Sequence, residues 1–203
     1  LFLAGDLLNQ IISSSFTAAT LAIPYLGIYG ACSTVAESLT LASMILDGGF
    51  AGAILVATSS HNATAERQYR YPTEYGGQRR PYQQWTVTGA AAALLGYTGQ
   101  GPRITAATVG KVVDMGCKDP LNLGAAMAPA AAETIACHFQ DTGWDPDSFD
   151  LILTGDLGEI GFKLCRDELT EKNIHLGENF SDCGLFIYDR EKQDVHAGAS
   201  GCA

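Results

Sequence analysis

Gly30-Ala31-Cys32-Ser33-Thr34-Val35-Ala36-Glu37 joins an apolar run to an apolar-periodic helix, and the rest of the chain is read outward from it. Upstream, Ile23-Pro24-Tyr25-Leu26-Gly27-Ile28-Tyr29 predicts a buried strand. Downstream, Val35, Leu39, Ala42 and Leu46 recur at helical spacing, and Thr34 with Glu37 reads as a T-x-x-E capping box. A cysteine just ahead of a helix faces unpaired N–H groups and the positive end of the helix dipole. Both favour thiolate over thiol, the state a nucleophilic cysteine needs. The same spacing also suits a small residue packed into a tight turn, because unpaired cysteine is commonly buried.

Further apolar segments alternate in type. Leu7–Ala19 predicts a helix, Ala53–Ala57 a fully apolar strand and Ala90–Leu95 a small-residue strand. Ile104–Val113 is β-branched and predicts a long strand. Asn122–Phe139 is an alanine-rich helix that Pro129 should kink or restart. Asp150–Thr154 and Gly184–Tyr188 predict strands flanking a helix over Leu164–Leu169. Such alternation implies an α/β protein of parallel strands with crossovers, its sheet covered on both faces. The turn Gln100-Gly101-Pro102 divides it into halves, 1–101 and 102–203.

Composition narrows the function. With 203 residues, 47% hydrophobic and 17% charged, the chain can bury a sizeable core. A net charge of −10 argues against a nucleic-acid partner. No apolar run reaches the ~18 residues of a membrane span. The six cysteines, at 32, 117, 137, 165, 183 and 202, lack C-x-x-C pairing, so neither zinc nor a disulfide framework is expected. Residues 61–85 stand apart. They hold Arg67, Arg70, Arg79 and Arg80 against Glu66 and Glu74, interleaved with Tyr69, Tyr71, Tyr75, Tyr82 and Trp85. Arginine forks match carboxylates and stack on aromatic faces; a solvated loop or a dimer contact is the alternative. Asp114, Asp119 and Asp156 match no calcium-loop spacing and read as turn or capping residues, so no metal site is assigned.

Several stretches resemble a known family. Gly-Ala-Cys-Ser before a helix, Thr88-Gly89-Ala90-Ala91-Ala92-Ala93-Leu94 and the closing His196-Ala197-Gly198-Ala199-Ser200-Gly201 resemble the thiolase and ketoacyl synthase fold. More specific are Ala57-Thr58-Ser59-Ser60-His61-Asn62-Ala63-Thr64-Ala65-Glu66, Arg70-Tyr71-Pro72-Thr73-Glu74-Tyr75-Gly76-Gly77-Gln78 and Gln84-Trp85-Thr86-Val87-Thr88-Gly89-Ala90. With Val112-Val113-Asp114-Met115-Gly116 and Gly124-Ala125-Ala126-Met127-Ala128-Pro129-Ala130, these are similar to the stage V sporulation protein AD family, from Gly5 to Cys202. The resemblance implies a thiolase-like fold of two related αβαβα halves with layered mixed sheets. It also implies an internal fragment truncated at both ends, not expected to be stable alone.

The same resemblance implies a protein that binds dipicolinic acid, alone or as its calcium chelate, during uptake into bacterial spores. Its place would be peripheral, at the spore inner membrane, with integral-membrane partners of one transport complex and a second copy of itself. No cofactor is implied. In Cys-His-Asn ketoacyl synthases the histidine follows the strand that here is Asp150–Thr154, and the matching position is Gly155, beside Asp156. Glycine transfers no proton, and a carboxylate opposes a developing oxyanion. The closing-loop position falls at Val195, next to His196; His196 stands two residues before Gly198, where thiolases have three. The expectation is a pseudo-enzyme in which Cys32 holds the nucleophile position without acting as one. The ligand residues would be Cys32, Ser33, His61, Arg70, His196, Gly198 and Ser200. The competing readings are a Cys32-dependent acyltransferase or condensing enzyme, and a structural subunit with a vestigial pocket. His61 on its own reads rather as a core histidine bonded to a backbone carbonyl, and His138 as a helix-surface or packing residue.

Overall fold

The computed structural model describes residues 1–70 and 76–202; Tyr71 and Tyr75 of the cationic–aromatic segment lie outside the described residues. In chain order the elements begin with β1 (Phe2–Asp6), α1 (Ile12–Leu21), β2 (Tyr25–Gly27), α2 (Thr34–Asp47), β3 (Ala53–Ser60) and α3 (Asn62–Tyr69). There follow β4 (Trp85–Thr86), β5 (Gly89–Gly96), α4 (Leu123–Thr142), β6 (Ile152–Thr154), α5 (Gly158–Glu171), β7 (Phe180–Asp182) and β8 (Ala199–Ser200). The chain forms two compact units, one of Leu1–Tyr69 with Thr86–Thr105 and one of residues 70–85 with Ala106–Cys202.

The first unit is built on a four-stranded sheet in the order β2-β1-β3-β5. Successive strand residues point to opposite faces, so the apolar residues divide between two clusters. Leu3, Ile54 and Val56 pack with Ala42 and Leu46 of α2, while Phe2 and Ala4 pack with Ala18 of α1. Burying each of the larger side chains contributes about 1.5–3 kcal/mol. Strand β1, which the sequence pattern does not single out, runs parallel to β2 and β3, and β5 is antiparallel to β3 where parallel strands are expected. After α3 the chain re-enters the sheet beside the end it left, with Ser60 opposite Gly89, and can only run back.

Helix α1 begins at Ile12 rather than at Leu7. Leu7 N–H extends the ladder to the Ser59 carbonyl (2.8 Å), and Ile11 adopts a left-handed φ of 46° that no helix accommodates. Buried Asp6 caps the helix from the preceding strand, accepting from Ser14 N (3.1 Å) and Ser14 Oγ (2.9 Å).

In the second unit α4 and α5 cross with Gly124 against Gly161. A Cβ on Gly161 would stand 2.6 Å from the Gly124 carbonyl oxygen, so the two backbones touch without side chains between them. Asn122 Oδ1 accepts from Ala125 N (3.2 Å) and starts α4, which then runs as one helix through Pro129. Ala128 and Ala132 of α4, Leu157, Cys165 and Leu169 near and along α5, and Phe180 form the core. Strands β6 and β7 pair in parallel, Ile152 to Phe180 through Thr154 to Asp182.

Two predicted strands are absent. Ile104–Val113 forms no strand: Val109 and Val112 are 72% and 97% exposed, and β-propensity without a partner ladder does not make a strand. Gly184–Tyr188 is a turn; the strand lies earlier, at Phe180–Asp182. The Asp182 carboxylate accepts from Gly184 N (2.9 Å) and bends the chain there.

Candidate functional site

Cys32 sits in a single 3₁₀ turn, Ala31–Ser33, that runs directly into α2. Ala31 takes a left-handed φ of 51°, which turns the chain out of the strand region and leaves Cys32 half-buried. The expected Thr34–Glu37 capping box is not formed. Thr34 is already the first helical residue, fully buried, with its Oγ1 unpartnered among the described residues and its methyl against Gly5. Ser33 stands ahead of the helix instead, its hydroxyl donating to the Gly30 carbonyl (3.1 Å) and to Glu37 Oε2 (3.3 Å). Tyr69, ending α3, faces this turn; burial and then the charge of Cys32 push its phenol above the ordinary value.

His61 is exposed at the β3–α3 junction, not a core histidine. Its Nδ1 stands 3.3 Å from Thr64 Oγ1, and its carbonyl accepts from the same hydroxyl (3.1 Å). Two neighbours fasten the junction. Asn62 Nδ2 donates to the Thr86 carbonyl (2.6 Å), and buried Glu66 accepts from Thr86 N (3.0 Å). A cavity of about 860 Å3 opens here, lined by His61, Thr64, Arg67, Gln68, Gln10 and Asp6 among others. Helix α3 leaves no signal in the sequence, because Asn62–Tyr69 is too polar to show an apolar stripe.

The second unit brings together Arg70 and the closing loop. Arg70 Nη2 donates to Ser200 Oγ (3.2 Å), and Ala197 to Ser200 are all buried. His196 has a left-handed φ of 49°, and its Nδ1 lies 3.3 Å from exposed Asp194. Gly198, at φ 103°, passes so close to Gly184 that a Cβ would stand 2.5 Å from the Gly184 carbonyl oxygen. Asp156, beside Gly155, is fully buried at φ 59°; Oδ1 accepts from Cys202 N (2.7 Å), and Oδ2 has no hydrogen-bond partner among the described residues.

Two residues that no sequence pattern singles out organise this region. Asp182 accepts from Thr154 Oγ1 (2.8 Å), Leu157 N (3.1 Å), Gly158 N (3.0 Å) and Gly184 N (2.9 Å). Two of those N–H groups open α5, and Glu159 N goes to the Ala197 carbonyl (2.8 Å), so the first turn of that helix is already occupied. Burial pushes the Asp182 carboxyl upward, against the pull of its four donors. The second residue is Gln84, whose Nε2 donates to the carbonyls of Asp156 and Ala199, each at 2.7 Å. Their partners are distant in sequence, which is why neither shows there.

Arg79 and Arg80 serve neighbours within the second unit, whereas Arg67 lies on α3 in the first. Arg79 stacks on Trp85 at 3.4 Å and donates to the Gln84 carbonyl (2.8 Å). Arg80 pairs with Asp119 (3.3 Å), whose carboxyl is held below its ordinary value by the Tyr82 hydroxyl first and then by the Leu121 N–H. Asp114 and Asp119 accept from Gly116 N (2.8 Å) and Leu121 N (3.0 Å), as turn residues do. His138 is half-buried, with Nδ1 at 2.8 Å from Thr108 Oγ1 and Trp144 and Phe149 around its ring.

Three thiols of this unit are perturbed upward. Cys165 is pushed up to about 12 by burial, then Glu168 and Asp182; Cys202 and Cys183 rise through burial and the nearby Asp156 and Asp182. In native protein at pH ~8.5, iodoacetamide is expected to modify exposed Cys117 while Cys165 stays unmodified, read by peptide mass. Modification of Cys165 as fast as Cys117 contradicts that order. The fold holds these thiols protonated where the unfolded chain, titrating near ~8.5, does not. Their contribution to stability is therefore complete below that pH and is lost as pH rises through the raised folded values, about 12 for Cys165.

A family model described as Stage V sporulation protein AD matches residues 1–203. The chain is 53% identical over 203 residues to Stage V sporulation protein AD of Bacillus subtilis (strain 168), and spans about 60% of the length of that relative. Among solved structures, 3-oxoacyl-[acyl-carrier-protein] synthase III from Aquifex aeolicus aligns over 100% of this chain and 64% of its own (TM-score 0.62, 16% identity). OleA of Xanthomonas campestris, with bound lauric acid and lauroyl-CoA, aligns over 89% of this chain and 60% of its own (TM-score 0.60, 13% identity). A tetronic acid condensing enzyme, AbyA1, aligns over 90% and 62% (TM-score 0.57, 17% identity). At these identities the likenesses show the thiolase-like fold alone.

Proposed function

The chain belongs to the stage V sporulation protein AD family, sporulation proteins on a thiolase-like fold, and on that footing we propose that it binds dipicolinic acid during uptake into spores without catalysing a reaction. The observation that carries this reading is the Arg70 guanidinium on Ser200 of the glycine-rich closing loop (3.2 Å). A planar dicarboxylate calls for a cationic fork beside hydroxyl and backbone donors, and a −10 chain must provide such a cation locally. By the family resemblance, the histidine position of Cys-His-Asn condensing enzymes falls at about Gly155, beside the buried Asp156, which supports binding over carbon–carbon bond formation.

The proposal extends to a peripheral place at the spore inner membrane and to integral-membrane partners that carry the ligand across. Among the described residues no helix is long and apolar enough to span a bilayer. It also extends to a homodimer. Among the described residues strand β5 ends the sheet, with Leu94 74% exposed, an edge that a second copy would pair and cover. The second reading is acyl transfer on Cys32, favoured by its place in the turn entering α2.

Calorimetric titration of the full-length protein separates the two. Saturable dipicolinate binding is expected, weakened about 10- to 100-fold in Arg70→Ala, and acyl-CoA should give no heat. The same sample should sediment as a dimer. Absence of dipicolinate heat together with stoichiometric acylation of Cys32 would falsify the binding reading.

A further inference from the structure

We propose that Gln84 is a positioning residue for the ligand loop: it holds the Ala199–Ser200 peptide in the orientation that presents Ser200 to Arg70, an inference that rests on reading the closing loop as the binding element. Gln84 is 2% exposed, and its amide nitrogen reaches two carbonyls at once, Asp156 and Ala199, both at 2.7 Å. Only the NH2 end of the side chain can donate to both, so its orientation is fixed by chemistry. Space for it exists because Gly158 has no side chain; a Cβ there would stand 2.9 Å from Gln84 Nε2.

The backbone around Gln84 follows the same loop. Ala197 N donates to the Gln83 carbonyl (3.2 Å), and Trp85 N to the Gly198 carbonyl (2.9 Å). Arg79, stacked on Trp85, holds the Gln84 carbonyl (2.8 Å). Residues 79–85 thus form a clasp on the loop, and the amide of Gln84 is its point of contact with Ala199.

The effect of that contact follows from peptide geometry. A trans peptide is planar, so fixing the direction of its carbonyl fixes the whole plane and the course of the next residue. Aiming the Ala199 carbonyl at Gln84 sets how Ser200 leaves the loop. Aiming the Asp156 carbonyl at the same amide turns Leu157 N–H the opposite way, where Asp182 Oδ1 receives it at 3.1 Å. One side chain therefore orients the peptide that carries Ser200 and the peptide that opens α5. Gly198, at φ 103°, confers no stiffness of its own, and besides its N–H bond to the Val195 carbonyl (2.9 Å) the loop is held by contacts from residues 83–85.

The test uses full-length protein and Gln84→Met, which keeps the length of the side chain and removes both donors. Amide hydrogen exchange at Ala197–Cys202 is followed without ligand, and dipicolinate and picolinate, which has one carboxylate, are titrated into both proteins. Loss of two buried hydrogen bonds should speed exchange in the loop about tenfold and leave α1 and β3 unchanged. Dipicolinate affinity should fall about tenfold and picolinate affinity less, a loss of selectivity that a general destabilisation does not produce. Equal dipicolinate binding by both proteins overturns the positioning role. If the unsubstituted protein binds no dipicolinate, the ligand reading alone has failed. Loop exchange then decides the clasp: acceleration sustains it and unchanged exchange removes it. Should Gln84→Met not fold, the side-chain amide protons of Gln84 in the unsubstituted protein give the answer, since exchange as fast as an exposed glutamine overturns the contact.

Discussion

Replacing Asp182 by alanine is expected to lower the stability of the second unit by about 3 kcal/mol or more. Four donors converge on its carboxylate: a threonine hydroxyl, two N–H groups that open α5 and the N–H of Gly184. Each is left in a dry site when the acceptor goes, at about 1–3 kcal/mol per group, part of which relaxation recovers. Asp182→Asn should also destabilise. Its Oδ1 can still accept from Thr154 and Leu157, but its NH2 then faces the N–H groups of Gly158 and Gly184.

The pH dependence has a definite sign. Burial raises the carboxyl of Asp182 above the ordinary value, so the folded state keeps the proton at a pH where the unfolded chain has lost it. This contribution is complete below the ordinary carboxylate range and declines as pH rises through the raised folded value. Urea unfolding of the full-length protein, with amide exchange in α5 as the local probe, measures both. A loss under ~1 kcal/mol in Asp182→Ala would show that the four bonds do not hold the unit together.

Gly161→Ala is expected to destabilise by about 1 kcal/mol, although alanine is the better helix former. Two effects oppose each other. In a helix interior alanine is favoured over glycine by about 1 kcal/mol. Against it, the new Cβ would stand 2.6–2.8 Å from the oxygen, Cα and carbonyl carbon of Gly124, which is backbone and cannot rotate away. Overpacking of this kind costs about 1–3 kcal/mol, and it is felt along the crossing of α4 on α5. The second effect wins because the contact is backbone on backbone. Gly124→Ala should behave alike, its Cβ falling 2.4 Å from the Leu157 carbonyl oxygen. The double substitution should cost less than the sum, since helices once separated admit the second methyl more readily. Urea unfolding of the three variants checks this, and a stabilised Gly161→Ala would mean that propensity outweighs the crossing.

Helix α2 is legible because its spacing is local, and so is α4, with an asparagine cap three residues from the amide it holds. The family, too, is legible, since its stretches are contiguous words of sequence matched over residues 1–203. Even in α2, apolar spacing identifies the buried face only in part. The buried stripe is Thr34, Ser38, Ala42 and Leu46, with Val35 and Leu39 at its margin. Two small polar residues take core positions because β1 and β3 lie close, and no hydropathy pattern distinguishes such residues from surface ones.

Ile104–Val113 marks the opposite limit. Its β-branched residues favour an extended chain, yet a strand exists only when a second strand accepts its hydrogen bonds, and that is not a property of the segment. Cys32 ahead of α2, the glycine-rich closing loop and the arginine-rich segment were determined by sequence alone, as residue types at local spacings. That Arg70 reaches Ser200 across 130 positions, that Gln84 joins Asp156 to Ala199, and that Asp182 closes the start of α5 were decided only by tertiary structure. Hydrogen bonds of that kind depend on where distant backbone is carried by packing, and packing is a property of the whole fold, written in no single stretch of it.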